Sequence, residues 1–90
     1  MKTTPAQEAL NHYQHITSWM QETGAPFLTQ EIGEALYAAS KGYYSDNPPP
    51  DDSIALIREH GERSMATLVE HGLIVKQDLS GKAIYQLSAK

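Results

Sequence analysis

Apolar side chains recur three and four positions apart in the first part of the chain, which is the spacing of an amphipathic helix. This pattern predicts a first helix over about residues 5–22. Thr4 and Gln7 have the spacing of a capping box with Pro5 at the first helical position, and Gly24 is a natural C-terminal stop. The positions on the predicted inner face are Ala6, Ala9, Leu10, Tyr13, Ile16, Thr17 and Met20.

A second helix is predicted over about residues 30–40, where the same spacing resumes after a short extended link. Thr29 stands directly before it, and its hydroxyl can accept a hydrogen bond from a free N–H of the first turn. The apolar stripe of this helix consists of Ile32, Ala35, Leu36 and Ala39.

Residues 41–52 form a proline-rich insertion, because three consecutive prolines exclude a helix and favour a stiff, extended path. Asp51 or Asp52 can cap a third helix that ends at Gly72. Gly61 lies inside that helix, where glycine costs about 1 kcal/mol relative to alanine. It marks a kink, a break into two helices or close packing, and the sequence leaves these three open. The inner stripe consists of Ile54, Ile57, Gly61, Ser64, Met65 and Leu68.

Two short apolar segments, residues 73–77 and 82–87, read as strands joined by the hairpin loop Asp-Leu-Ser-Gly at 78–81. An isolated hairpin is marginal in water, so its apolar side needs the helices as a cover. We therefore predict an α+β, mostly α fold, with three helices followed by a C-terminal β-hairpin in a single domain of residues 1–90. The predicted apolar side of the hairpin carries Ile74, Val75, Tyr85 and Leu87.

Composition narrows the function classes. The absence of cysteine excludes disulfides and thiolate metal sites. No apolar run has the length of a signal-peptide core or a membrane span, so we expect no membrane partner and a cytoplasmic location. The net charge of −4 argues mildly against nucleic-acid binding, although residues 53–90 hold five basic residues against four acidic ones.

The end of the chain resembles a winged helix-turn-helix domain. Met65 and Leu68 take the apolar positions of a recognition helix that closes with GLI at 72–74. In that family a strand, a loop called the wing and a return strand follow this helix, and YQLS at 85–88 resembles the end of the return strand. FLTQEI at 27–32 is similar to the start of the first helix of the helix-turn-helix pair. The likeness covers residues 6–88 in element order and is sharpest over 63–88.

This resemblance implies a small prokaryotic or phage-type transcription regulator that binds double-stranded DNA sequence-specifically as a homodimer. The third helix would enter the major groove, where Arg63 can bond a guanine edge or a phosphate, and the wing would meet phosphates. The implied DNA-binding residues are Arg58, Arg63, Ser64, Thr67, Lys76 and Lys82.

A second interpretation is a winged-helix protein–protein interaction module without DNA binding. Three features favour this interpretation: the acidic net charge, the glutamates near the face of the third helix that would meet DNA, and the proline insertion. Glu59 and Arg63 also have the i,i+4 spacing of an ordinary surface ion pair. Lysines on a hairpin can simply protect its edge against pairing.

The polar side of the first helix carries Trp19, His12 and His15, which we predict to form a dimer interface. A metal interpretation of Glu8, His12 and His15 is weaker, because neighbouring polar residues on a helix usually form its solvated face. Packing of Trp19 on the following link is an equal alternative.

Tyr43 and Tyr44 precede the prolines and suggest a site for a protein partner, with a connector folded onto the domain as the alternative. That site would also include Pro48, Pro49 and Pro50. No motif of nucleophilic, phosphate-binding or metal catalysis is present, so we expect neither an enzyme nor a cofactor.

Overall fold

The computed structural model describes residues 4–88 and confirms the α+β, mostly helical class, with three helices before a C-terminal hairpin. Residues 1–3 and 89–90 of the predicted domain lie outside the described residues. No helix within 4–88 is long and apolar enough to cross a membrane. The elements are α1 Pro5–Thr23, β1 Leu28–Thr29, α2 Gln30–Ser40, a 3₁₀ turn Asp51–Ser53, α3 Ile54–Glu70, β2 Ile74–Leu79 and β3 Lys82–Leu87.

The ends of α1 and α2 follow the predicted capping. The Gln7 N–H donates to the Thr4 hydroxyl at 3.1 Å, and the Ile32 N–H donates to the Thr29 hydroxyl at 3.3 Å. The Gln7 side chain donates to Asn11 within the helix, at 3.2 Å. Gly24 adopts φ 69° and donates its N–H to the Met20 carbonyl, which stops α1 as glycine stops many helices.

The start of α3 differs from the prediction. Asp51 and Asp52 do not cap the helix, because they form the 3₁₀ turn that precedes it. The helix begins at Ile54, and the Ser53 side chain makes no cap hydrogen bond. The first turn of α3 is therefore ordered by the preceding turn, in which the Ser53 N–H donates to the Pro50 carbonyl at 2.8 Å.

Gly61 marks close packing, and α3 passes through it as one continuous helix. A methyl group added at Gly61 would lie 3.2 Å from Tyr37 Cβ and 3.3 Å from Glu34 Cα. Both atoms belong to the body of α2 and cannot rotate away. Glycine thus lets α2 approach α3 without a shift of either atom, which explains its presence at a position where it weakens the helix.

The sheet has three strands in the order β1-β3-β2, because β1 pairs with β3 and extends the predicted hairpin. Ser80 and Gly81 have φ values of 54° and 82°, as the two central residues of a type I′ turn require. The predicted four-residue loop is therefore wrong: Asp78 and Leu79 belong to β2, and Leu79 pairs with Lys82.

The inner face of the sheet covers the helices. Ile74 and Tyr85 are buried as predicted, whereas Val75 is 41% exposed and lies on the outer face. Leu10 of α1, predicted to be internal, is 47% exposed. The buried core cluster consists of Ala9, Ile16, Met20, Leu28, Met65, Leu68, Ile74 and Tyr85.

We predict that Gly61→Leu lowers the free energy of unfolding by roughly 2–3 kcal/mol, because an overpacked side chain forces α2 away from α3. The matched control is Ala66→Leu, which places the same side chain on the exposed side of the same helix and should change stability by less than about 0.5 kcal/mol. Urea unfolding of both variants measures the difference. Equal midpoints would contradict the packing role of Gly61.

Candidate interaction surface

The outward side of α3 is acidic. Glu59, Glu62 and Glu70 are exposed there, together with Arg63. Arg63 Nη2 lies 3.2 Å from Glu59 Oε1, so the predicted i,i+4 ion pair is confirmed. Such an exposed pair contributes only about 0.3–0.5 kcal/mol. Breaking it to bind another anion is easy, but the Glu59 carboxylate stays beside any anion that Arg63 would hold.

Arg58 faces α2. Its Nε lies 3.7 Å from Glu34 Oε1, and the Glu34 side chain is largely buried. Glu34 Oε2 also accepts a hydrogen bond from the Gln30 amide at 2.9 Å, and the Tyr85 hydroxyl donates to Gln30 Oε1. A polar chain thus joins β3, α2 and α3. Burial, with Glu62 and Glu34 nearby, raises the pKa of Tyr85, which is consistent with an acidic environment.

Lys76 and Lys82 lie on opposite faces of the hairpin. Paired residues of antiparallel strands project to the same face, and successive residues alternate. Lys76 pairs with the buried Tyr85 and is therefore on the inner face, whereas Lys82 pairs with Leu79 on the outer face. Lys76 and Lys82 therefore flank the turn along the chain but project to opposite faces of the hairpin, so the two lysines share no common face.

Two of the residues predicted to contact DNA point into the protein or bond their own helix. Ser64 is 8% exposed, and its hydroxyl lies 2.7 Å from His12 Nδ1, so it is not presented to a ligand on the outer side. Thr67 is half-buried and donates its hydroxyl to the Arg63 carbonyl at 3.0 Å. The prediction for Ser64 is therefore wrong, and Thr67 offers little free hydrogen-bonding capacity.

His12 is 0% exposed, which overturns its predicted place in a dimer interface. The Gly33 carbonyl can only accept, so His12 Nε2–H donates to it at 2.7 Å. Nδ1 then accepts the Ser64 hydroxyl at 2.7 Å. The ring also meets Tyr37 edge-on, with centroids 5.4 Å apart.

His12 was assigned to the polar side of α1 because of its residue type, although its position in the helical repeat indicates burial. It lies three residues after Ala9 and four before Ile16, both of which are buried, so its phase is that of the core. Attention to phase alone would have placed the ring inside. The residue type suggested the opposite, because histidine is only of intermediate burial on average.

The Ser64–His12 pair has the spacing of a nucleophile and a base, but its environment favours a structural role. Burial lowers the pKa of His12 from 6.5 to about 4, partly offset by the hydrogen bond to Gly33 and reinforced by His15. A base this weak abstracts a hydroxyl proton poorly near neutral pH. The pair therefore serves as a neutral hydrogen-bonded link between α1 and α3.

His15 and Trp19 remain on the surface side of α1. The His15 ring donates to the Asn11 carbonyl one turn earlier, at 3.0 Å. Trp19 is half-buried and packs against the core cluster, whereas its packing on the link that follows α1 stays a prediction. Within residues 4–88 no three histidine, aspartate or glutamate side chains are arranged to hold a metal ion.

We predict that the protein loses stability as the pH falls through the window from 6.5 to about 4, because the unfolded chain binds a proton on His12 that the folded chain rejects. Between pH 7.5 and pH 5 the loss of unfolding free energy attributable to His12 is about 2 kcal/mol, because a slope of about 1.36 kcal/mol per pH unit applies only below pH 6.5. Urea unfolding at both pH values measures it.

The control for this prediction is the double variant His12→Phe, Ser64→Ala, which removes the titrating ring together with its hydroxyl partner. Both proteins keep the same carboxylates and the same other three histidines, so the difference between the two pH dependences isolates His12. The same pH dependence in the double variant would show that His12 is already protonated or exposed in the folded chain.

Comparison of the chain with models of protein families, with curated proteins and with solved structures gives no match. The layout of three helices and a hairpin is compatible with a winged helix, a fold that serves many unrelated functions. A function for this chain must therefore be inferred from its own charges and contacts.

Proposed function

We propose that this chain is a winged-helix-like module that recognises another protein and does not bind a DNA duplex. The observation that carries this proposal is the charge on the side that a winged helix lays on DNA. The first turns of α2 and the exposed positions of α3 hold five carboxylates against two guanidinium groups, Arg58 and Arg63. The carboxylates are Glu31, Glu34, Glu59, Glu62 and Glu70.

This excess of carboxylates disfavours binding to DNA, which is a polyanion. DNA affinity comes mainly from cations that replace the counterions of phosphates, and a protein with fewer of them gains correspondingly less. Arg58 and Arg63 each have a glutamate of the same protein beside them, and Lys76 and Lys82 point to opposite faces of the hairpin. The four cations therefore do not form one surface that follows a DNA backbone.

A protein partner fits this surface better. Protein–protein interfaces combine an apolar centre with a polar rim, and complementary charges select the partner. Several large apolar side chains are exposed on α3 and on the connection that precedes it, among them Leu56 at 52% and Tyr44 at 54%. An acidic surface with apolar neighbours is complementary to a partner that presents apolar and basic side chains.

We predict that the wild-type chain does not bind duplex DNA at 50 mM salt and at protein concentrations up to about 10 µM. This concentration lies within the usual range of dissociation constants for non-specific DNA binding. The probes are a random-sequence duplex and fragmented genomic DNA. The double variant Glu59→Lys, Glu62→Lys should acquire salt-sensitive DNA binding, because it turns the outward side of α3 positive. Fluorescence anisotropy measures both.

The matched control is Glu22→Lys, Asp46→Lys, which makes the same change in net charge at exposed positions of α1 and of the connection between α2 and α3. It should leave DNA binding absent. Wild-type binding that weakens steeply with salt would overturn the proposal, above all if Arg63→Ala also reduced it by about 1–3 kcal/mol.

The second candidate is the dimeric, sequence-specific DNA-binding regulator, which one observation favours. Arg63 projects from the outward side of α3, 66% exposed, in the helix that precedes the hairpin. A two-fold dimer doubles the number of cations that meet DNA, which offsets part of the local deficit. In this candidate the operator would be recognised by two copies of α3.

For the dimer, we predict that Trp19→Ala lowers the mass seen in sedimentation equilibrium, because a half-buried tryptophan contributes strongly where it also meets a partner. A parallel urea titration separates this effect from the loss of packing on the core. A wild-type chain that sediments as a monomer at about 100 µM, where even weak dimers with dissociation constants of 1–10 µM associate, would exclude this candidate.

A further inference from the structure

A groove lies along the outer side of α2, between this helix and the connection formed by residues 41–53. One part has a volume of about 360 Å³, and an adjoining part of about 320 Å³ shares Ala35, Ala38 and Pro49 with it. Each part falls within the roughly 300–1,000 Å³ of ordinary ligand pockets. We call this feature the α2 groove; beyond the shared residues, its apolar walls are formed by Ile54, Ile57, Tyr43 and Tyr44.

The wall of the α2 groove is held in place by hydrogen bonds. The Tyr43 N–H donates to the Ala38 carbonyl, and Tyr44 and Asn47 exchange two main-chain bonds, all at 3.0 Å. The Asn47 amide also donates to the Gly42 carbonyl at 2.9 Å. The prolines that follow restrict the main chain further. A wall fixed before binding reduces the entropy lost when a ligand docks.

The lining of the α2 groove specifies what it can hold. Its floor consists of alanines, which let a partner main chain approach closely, and Ile54 remains 40% exposed at its side. One end carries the carboxylates of Glu31 and Glu34, with Arg58 as the one cation lining the groove in residues 4–88. Glu34 already bonds Arg58 and Gln30, whereas Glu31 is exposed at the mouth.

We propose that the α2 groove docks a short segment of a partner protein in which apolar side chains are followed by a lysine or arginine. The apolar side chains lie on the alanine floor between Pro49 and Ile54, and the cation pairs with Glu31. This inference rests on the proposed protein-recognition function and gives it a site. It also gives a role to the proline-rich insertion, which builds one wall.

The experiment pans the full 90-residue chain against a phage-displayed library of random 12-residue peptides. Enriched sequences are then synthesised with a fluorescent label. We expect them to carry apolar residues followed by a basic residue. Anisotropy titration should show that Ala35→Trp, which fills the floor, and Glu31→Lys, which reverses the charge at the mouth, each weaken binding about tenfold or more, as loss of a central contact does.

The matched controls are Ala66→Trp and Glu22→Lys, which make the same two changes at exposed positions of α3 and α1. Both should bind the peptides within about twofold of the wild type, since neutral contacts outside an interface centre contribute little. Urea unfolding of all four variants verifies that each is folded.

The outcomes separate the two proposals. If Ala66→Trp or Glu22→Lys abolishes peptide binding while Ala35→Trp and Glu31→Lys leave it intact, the site is not the α2 groove, and protein recognition itself stands. Enriched peptides without a basic residue would overturn the assigned partner chemistry. If no peptide is enriched and the wild-type chain binds duplex DNA with a steep salt dependence, both the groove and the protein-recognition function fail.

Discussion

The buried imidazole of His12 is the interaction on which the arrangement of the three helices depends. The ring belongs to α1, donates to the Gly33 carbonyl of α2 and accepts the Ser64 hydroxyl of α3. An apolar side chain would fill the same space but would leave the hydroxyl unpaired, and an unsatisfied buried polar group is destabilising by about 1–3 kcal/mol. The bonds also have direction, so they favour one orientation of the helices over others with similar packing.

The close approach of α2 and α3 is the second constraint on the fold, and it also positions charged side chains at the surface. Gly61 admits the body of α2, and a methyl group at Gly33 would lie 2.5 Å from Met65 Cε. Because the helices are this close, Glu34 of α2 reaches Arg58 of α3. Glu34 also accepts a hydrogen bond from Gln30 within α2, and Gln30 accepts one from the Tyr85 hydroxyl of β3. The packing that forms the core therefore also places a carboxylate beside a cation that DNA recognition would need.

Local signals in the sequence predicted the helices, because a helix is defined by contacts between residues three and four apart and by its caps. Thr4, Thr29 and Gly24 act as predicted for this reason. The two-residue strand β1 was missed, since it exists only through its pairing with β3 and is too short to show a pattern. The hairpin loop was predicted two residues too long for a related reason: the pairing of Leu79 with Lys82 extends the strands to the turn at Ser80 and Gly81.

The long connection between α2 and α3 links these observations. A helix-turn-helix pair uses a turn of about three or four residues, which leaves little room beside its first helix. Here residues 41–53 intervene, and they are bonded back to the end of α2. A flexible loop of this length would be destabilising through the entropy of its closure, and the prolines and the Tyr44–Asn47 bonds reduce that loss by stiffening the chain. The same stiffening turns the connection into a fixed wall beside the alanines of α2. The feature that departs most from a DNA-reading helix pair is therefore also the one that creates the α2 groove. The carboxylate of Glu31 at this groove makes a partner with apolar and basic side chains the better physical match.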